Sequence, residues 1–169
     1  MLVIILLAIG IILRLTIHIP NFTPVTAIAL FGGVYLNRRF AVLLPLLLMM
    51  ISDSLIGLHD TILFTWGSFV AISFLGLWLR NHKNKANIIG CSLLSAVFFF
   101  FITNLGVWLV GSLYPRTLMG LSHCFILAIP FFQNTLLSSL FYSIFLFASY
   151  EISASWVKQT RFARALLTV

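Results

Sequence analysis

The sequence predicts an all-α integral membrane protein with six transmembrane helices and both chain ends on the cytoplasmic side. Three observations carry that expectation. Of 169 residues, 62% are hydrophobic and 8% are charged, with a mean hydropathy of +1.15, whereas a soluble domain has roughly a quarter of its residues charged. The apolar residues fall in runs, most of them close to the ~20 residues that cross ~30 Å of hydrocarbon as an α-helix. Lys and Arg gather in alternate connections between those runs, as the positive-inside rule requires.

Residues 1–18 form the first run and end at His18, Pro20 and Asn21. No basic segment or A-x-A-like cleavage site accompanies it, so it reads as a retained helix and not as a secretory signal. The second run, 23–36, has fourteen residues, or ~21 Å as a helix, and must recruit its loop ends or begin inside the protein. The third, 40–58, follows Asn37, Arg38 and Arg39 and stops at His59 and Asp60; the fourth, 61–79, stops at RNHKNK. The fifth, 86–110, stops at GSLYPRT, and the sixth, from about 123 to 150, passes through Pro130, which removes a backbone donor and predicts a bend. Residues 1–150 therefore form the transmembrane domain. Residues 151–169 are a basic tail in which Lys158, Arg161 and Arg164 alternate with Trp156, Phe162 and Leu166, suited to an inner-leaflet interface or equally to a solvated end.

With the N-terminus inside, the inner set of cations is Arg38, Arg39, Arg80, Lys83, Lys85, Lys158, Arg161 and Arg164, against Arg116 and the helix-borne Arg14 outside. The net charge of +7 thus marks orientation in a membrane and not a nucleic-acid face. Polar side chains are costly in lipid, so their depths are informative. Arg14 lies ~6 Å below His18, Asp53 ~9 Å below His59 and Asn104 ~10 Å below Gly111, all in the outer half. Gln133 and Asn134, ~15 Å into the last run and just after Pro130, are expected to form a floor. The inner halves LLPLLLMM and GCSLLSAVFFFF offer little to a polar solute. The asymmetry predicts a pocket open to the outside.

Arg14 and Asp53 are the oppositely charged groups at similar depth, and an unpaired charge there costs ~2.5–3.5 kcal/mol on insertion scales. They are expected to pair or to share a ligand; the alternative has Arg14 snorkelling to headgroups and Asp53 held by Ser52 and Ser54. Asn21, His59 and Tyr114 in the outer loops, with Trp66 and Trp108 a turn or more below, suit an amphipathic ligand, although Trp and Tyr there also form the ordinary aromatic belt. His59 either closes an interhelical turn or offers an imidazole to a metal that the solute itself carries. Cys91 and Cys124 have no metal-like spacing and read as packing residues. Gly32, Gly33, Gly67, Ala71, Gly90 and Gly106 are candidates for close helix approach. No HExxH, GxSxG, P-loop or GxGxxG is present, and three acidic residues leave little acid–base machinery. An enzyme is not expected, nor a resident cofactor or metal.

The strings NFTPVTAIALFGG (21–33), PLLLMMISDSLIG (45–57), FFFFITNLGVW (98–108) and IPFFQNTLLSSLFY (129–142) resemble a family of small bacterial inner-membrane proteins that looks like the S-component fold of energy-coupling-factor vitamin transporters. The resemblance covers about residues 12–148. It implies a substrate-binding subunit in the bacterial cytoplasmic membrane, with an outward pocket capped by the loops after helices one, three and five. It also implies toppling in the bilayer, energised by a coupling protein and two ATPases, or a solitary carrier. The docking pattern of coupled members, AxxxA-like on the first helix, meets Ile12 four residues after Ala8. Cobalamin leads among the solutes implied, with His59 in the loop that ligates corrin cobalt in solitary members. From another class, a non-transporting scaffold of a cell-envelope complex would use the same polar residues to bind partner helices.

Overall fold

The computed structural model describes residues 2–159, and every regular element among them is an α-helix. In chain order these are α1 (Leu2–Thr16), α2 (Val25–Tyr35), α3 (Arg38–Ile56), α4 (Ile62–Asn81), α5 (Lys85–Val110), α6 (Leu118–Leu127) and α7 (Ile129–Gln159). Within α3, α4, α5 and α7 lie stretches long and apolar enough to cross a membrane. Residues 160–169, with Arg161, Phe162, Arg164 and Leu166 of the basic tail, lie outside the described residues, as does the side chain of Lys158. The helix α7 runs past residue 150 without a break.

Short connections make successive helices from α1 to α6 run in opposite directions. One end of the bundle therefore gathers the C-termini of α1, α3 and α5 with the N-termini of α2, α4 and α6. Arg38, Arg39, Arg80, Lys83 and Lys85 sit at or near the other end. There Lys83 Nζ donates to Glu151 and to the Tyr35 hydroxyl, which in turn donates to Glu151. The bond to Glu151 holds the Lys83 ammonium above its usual pKa. Capping sets several boundaries: Asn37, Asn84 and Thr117 side chains accept from the amides of Phe40, Asn87 and Gly120 at the starts of α3, α5 and α6.

The sixth run departs from its expected shape. Its helix begins five residues earlier, at Leu118, and is interrupted at Ala128 between α6 and α7. Pro130 has no N–H for the Ile126 carbonyl, and the turn closes with Ala128 N–H bonded to the carbonyls of Cys124 and Phe125 at 3.2 Å. Breaking the run there frees α6 to pack mainly on α5.

The short second helix begins inside the protein. Every residue from Val25 to Val34 is buried, and α1, α3, α4, α5 and α7 surround it. Apolar burial drives little association in lipid, so close packing must hold α2. A Cβ on Gly33 would lie 2.5 Å from the Gly76 backbone, and one on Gly76 would lie 2.5 Å from the Leu30 carbonyl oxygen. These two glycines bring α2 and α4 into backbone contact. Gly106 admits the Phe64 ring in the same way, and Gly10 admits Leu48, whereas Gly67 and Gly90 face open space. Only part of the small-residue set thus serves close approach.

Gly76→Val should therefore force backbone apart and lower the unfolding temperature in detergent, at a cost of ~1–3 kcal/mol or more. Gly67→Ala, with no atom within 4 Å of the new methyl, should leave it unchanged or raise it.

Candidate functional site

A cavity of about 640 Å³ opens at the end of the bundle where α2 starts, within the ~300–1,000 Å³ of sites that enclose small organic ligands. Its depth follows from the glycine contact. Gly33 meets Gly76 and both helices run away from the mouth, so Val25, ~12 Å back along α2, is level with Ser68 and Phe69, ~10 Å below the first turn of α4. The first turn of α2 is the floor, together with Met49, Phe69 and Phe99, whose two phenyl rings stand 5.0 Å apart. Arg14, Thr65, Thr103, Asn104, Cys124 and Thr135 line the walls. His18, Asn21, His59, Leu113 and Tyr114 form the rim.

One carboxylate organises the wall. Asp53 is 1% exposed; its Oδ1 accepts from Arg14 Nη2 at 2.6 Å and its Oδ2 from Trp66 Nε1 at 2.7 Å. Arg14 Nη1 also donates to Ser52 Oγ. Ser54 instead donates to the Met50 carbonyl and makes no hydrogen bond to Asp53. The Arg14 side chain, 16% exposed, borders the cavity, while Asp53 and Trp66 are not among its lining residues. His59 Nδ1 shares a hydrogen bond with Thr61 Oγ1 at 3.0 Å, and Nε2 stands 4.0 Å from Asp53 Oδ2. Both ring nitrogens thus face protein groups.

Of the residues the sequence singles out, Arg14, Asn21, His59, Asn104 and Tyr114 come together around the cavity. The others support it or stand apart. Trp108 Nε1 donates to Pro115 O at 3.0 Å and ties down the α5–α6 connection. Asn134 is not a floor residue: its Nδ2 donates to Pro20 O at 3.0 Å, and Ser138 donates to Asn21 O, so α7 pins the connection before α2. Asn21 itself takes a left-handed turn (φ 59°), which asparagine tolerates better than most side chains. Gln133 is exposed away from the cavity; Phe131 and Thr135 represent α7 there instead.

Several lining groups escape sequence reasoning. Thr65, Thr103 and Thr135 each donate to the carbonyl four residues back, a bond available anywhere in a helix and hence no signal of a site. Cys124, read as packing, is buried yet borders the cavity, its Sγ 3.5 Å from Asn104 O. Among the described residues no group of three His, Cys, Asp or Glu side chains is placed to hold a metal ion.

A family model described as a family of unknown function (DUF6580) matches residues 1–162. The chain belongs to that family. No curated protein and no solved structure matches it. The match spans every helix among the described residues, so the cavity and its walls fall wholly within the family's unit.

Asp53→Ala should strip the acceptor from Arg14 and Trp66 together and lower stability by about 3–5 kcal/mol, read as a fall in the detergent unfolding midpoint. Arg14→Met combined with Asp53→Leu removes both charges and should cost less than the sum of the single changes.

Proposed function

We propose that this protein is the substrate-binding membrane subunit of an uptake system for a vitamin-sized amphipathic solute. The observation that carries the reading is the single-ended cavity: polar walls over an aromatic floor, enclosed by the helices and open at one end of the bundle. Such a cup binds a solute whose polar and apolar parts are separate. The charge distribution supports six membrane crossings with both ends in the cytoplasm, because Arg38, Arg39, Arg80, Lys83 and Lys85 gather opposite the mouth and Arg116 lies beside it. In that orientation the mouth faces out of the cytoplasm, and the membrane is the bacterial inner membrane.

Release on the inner side requires either movement of the whole subunit in the bilayer or a partner that drives it. A coupling protein with ATPases is the partner class implied by the sequence resemblance, and a solitary carrier needs none. Cobalamin stays within that solute class: His59 Nδ1 is hydrogen-bonded to Thr61, while Nε2 lies 4.0 Å from Asp53 Oδ2, beyond hydrogen-bond reach.

Unfolding of the purified protein, followed across a panel of water-soluble vitamins and their precursors, tests the reading. A true solute at one hundred times its Kd should stabilise the protein by ~2.7 kcal/mol. Asn104→Ala, which removes a wall amide bonded only within its own helix, should weaken that response at least tenfold with little change in the unliganded midpoint. Cys91→Ser should leave it intact. A flat response to every compound, with no small molecule copurifying, would favour the scaffold reading. Orientation is tested separately: in intact cells an impermeant maleimide should label a cysteine placed at Arg116 and spare one placed at Lys83.

A further inference from the structure

The two ends of α2 are treated differently. At the C-terminal end Arg80 donates to Gly33 O from Nε at 3.1 Å and from Nη2 at 2.6 Å, and to Leu36 O. This cation satisfies carbonyls that the last turn leaves without amides and faces the negative end of the helix dipole. At the other end the first intrahelical bond runs from Ile28 N–H to Pro24 O at 2.8 Å. The amides of Val25, Thr26 and Ala27 precede it, no side chain caps them, and no backbone acceptor meets them. These residues are 0%, 4% and 0% exposed. Buried amides without an acceptor are rare in folded chains.

A second observation falls at the same place. Thr26 borders the cavity, and its hydroxyl has no hydrogen-bond partner among the described residues. Thr65, Thr103 and Thr135 satisfy their hydroxyls on the previous helical turn; Thr26 has no previous turn, since α2 begins at Val25. The described lining contains no Asp or Glu, and Arg14 is its one permanent charge. Both oxygens of nearby Asp53 are turned to Arg14 and Trp66. The floor therefore offers the Thr26 hydroxyl and the positive end of a helix dipole but no carboxylate, which favours an anionic group over a cationic one.

We infer that the solute carries an oxyanion, a carboxylate or a phosphate, which seats at the positive end of the α2 dipole and accepts from the Thr26 hydroxyl. Its apolar part lies beside the Phe69 and Phe99 rings. The inference rests on the reading of the cavity as a solute site and adds the charge class of that solute.

Benzoate and benzamide, matched in shape and differing in charge, test it on the full chain in a maltoside detergent. Benzoate should raise the unfolding temperature and shift the amide resonances of residues 25–27; benzamide should do neither. Thr26→Val keeps the shape of the side chain and should reduce benzoate affinity about tenfold, as expected for loss of one hydrogen bond to a charged group. The resonance shifts supply a readout that does not depend on the variant folding. Equal responses to the two probes would overturn the oxyanion seat while leaving a solute cavity in place. Benzoate binding that neither moves those resonances nor weakens in Thr26→Val would also overturn it, as would no response to benzoate at all; the vitamin panel decides the parent reading independently. In phosphatidylglycerol nanodiscs benzoate should still bind. If the same amides are already shifted there and benzoate has no effect, the oxyanion is a lipid phosphate, and the assignment to a solute fails.

Discussion

A helix of eleven residues cannot bridge the hydrocarbon of a bilayer, and its terminal amides and carbonyls cannot be left in lipid. That constraint on α2 shapes everything around it. Five helices wrap it, so its sides meet protein on every face. Its C-terminal carbonyls are reached by Arg80 from α4, a long side chain that brings charge and fork geometry together. Its N-terminal turn lies where the other helices leave space, and that space is the cavity, bordered there by Val25 and Thr26. The cup is thus the volume above a helix that starts partway down the bundle. A full-length second helix would fill it.

The walls depend on a second buried polar arrangement. Asp53 holds Arg14 from α1 and Trp66 from α4 against its own helix, α3, so one carboxylate joins three helices on the cavity side. With both oxygens occupied, its charge is compensated within the protein, and Arg14 meets the cavity as half of a neutral pair. Burying such a pair gains little by itself but makes either partner costly to lose. The arrangement therefore fixes geometry more than it adds stability. The connections around the mouth are fixed by the same economy: Trp108 holds Pro115 and Asn134 holds Pro20, each through one bond from a helix to a loop carbonyl.

Depth was legible in the sequence for α1, α3 and α5 but not for α7, and direction around the helices was not legible. The hydrophobic runs, the short second helix and the bend near Pro130 are set by length and backbone chemistry, which a chain displays openly. Arg14 and Asp53 could be placed at matching levels for the same reason. The roles of Trp108, Gln133 and Asn134 were not legible, because α5 and α7 are apolar around their whole circumference and no stripe marks the inward face. Counting places Asn134 deep in its run, but its bond to Pro20 O sets it beside the connection before α2, near the rim, so its depth as well as its direction escaped the sequence. Gly76 carried no visible signal, since its meaning lies in Gly33 opposite, and Gly67 and Gly90 were equally plausible partners on paper. The uncapped amides at Val25–Ala27 belong to every helix start, and they matter because Pro24 supplies no cap and the residues are buried.

The backbone contact between Gly33 and Gly76 has a consequence for how the protein can diversify. It welds two helices into a fixed spine near the end away from the opening, where the spacing tolerates no added methyl. The ribbons at the rim hang from that spine by a few bonds to loop carbonyls. Changes in them need not disturb its alignment, so the lining of the entrance can vary while the architecture beneath stays fixed.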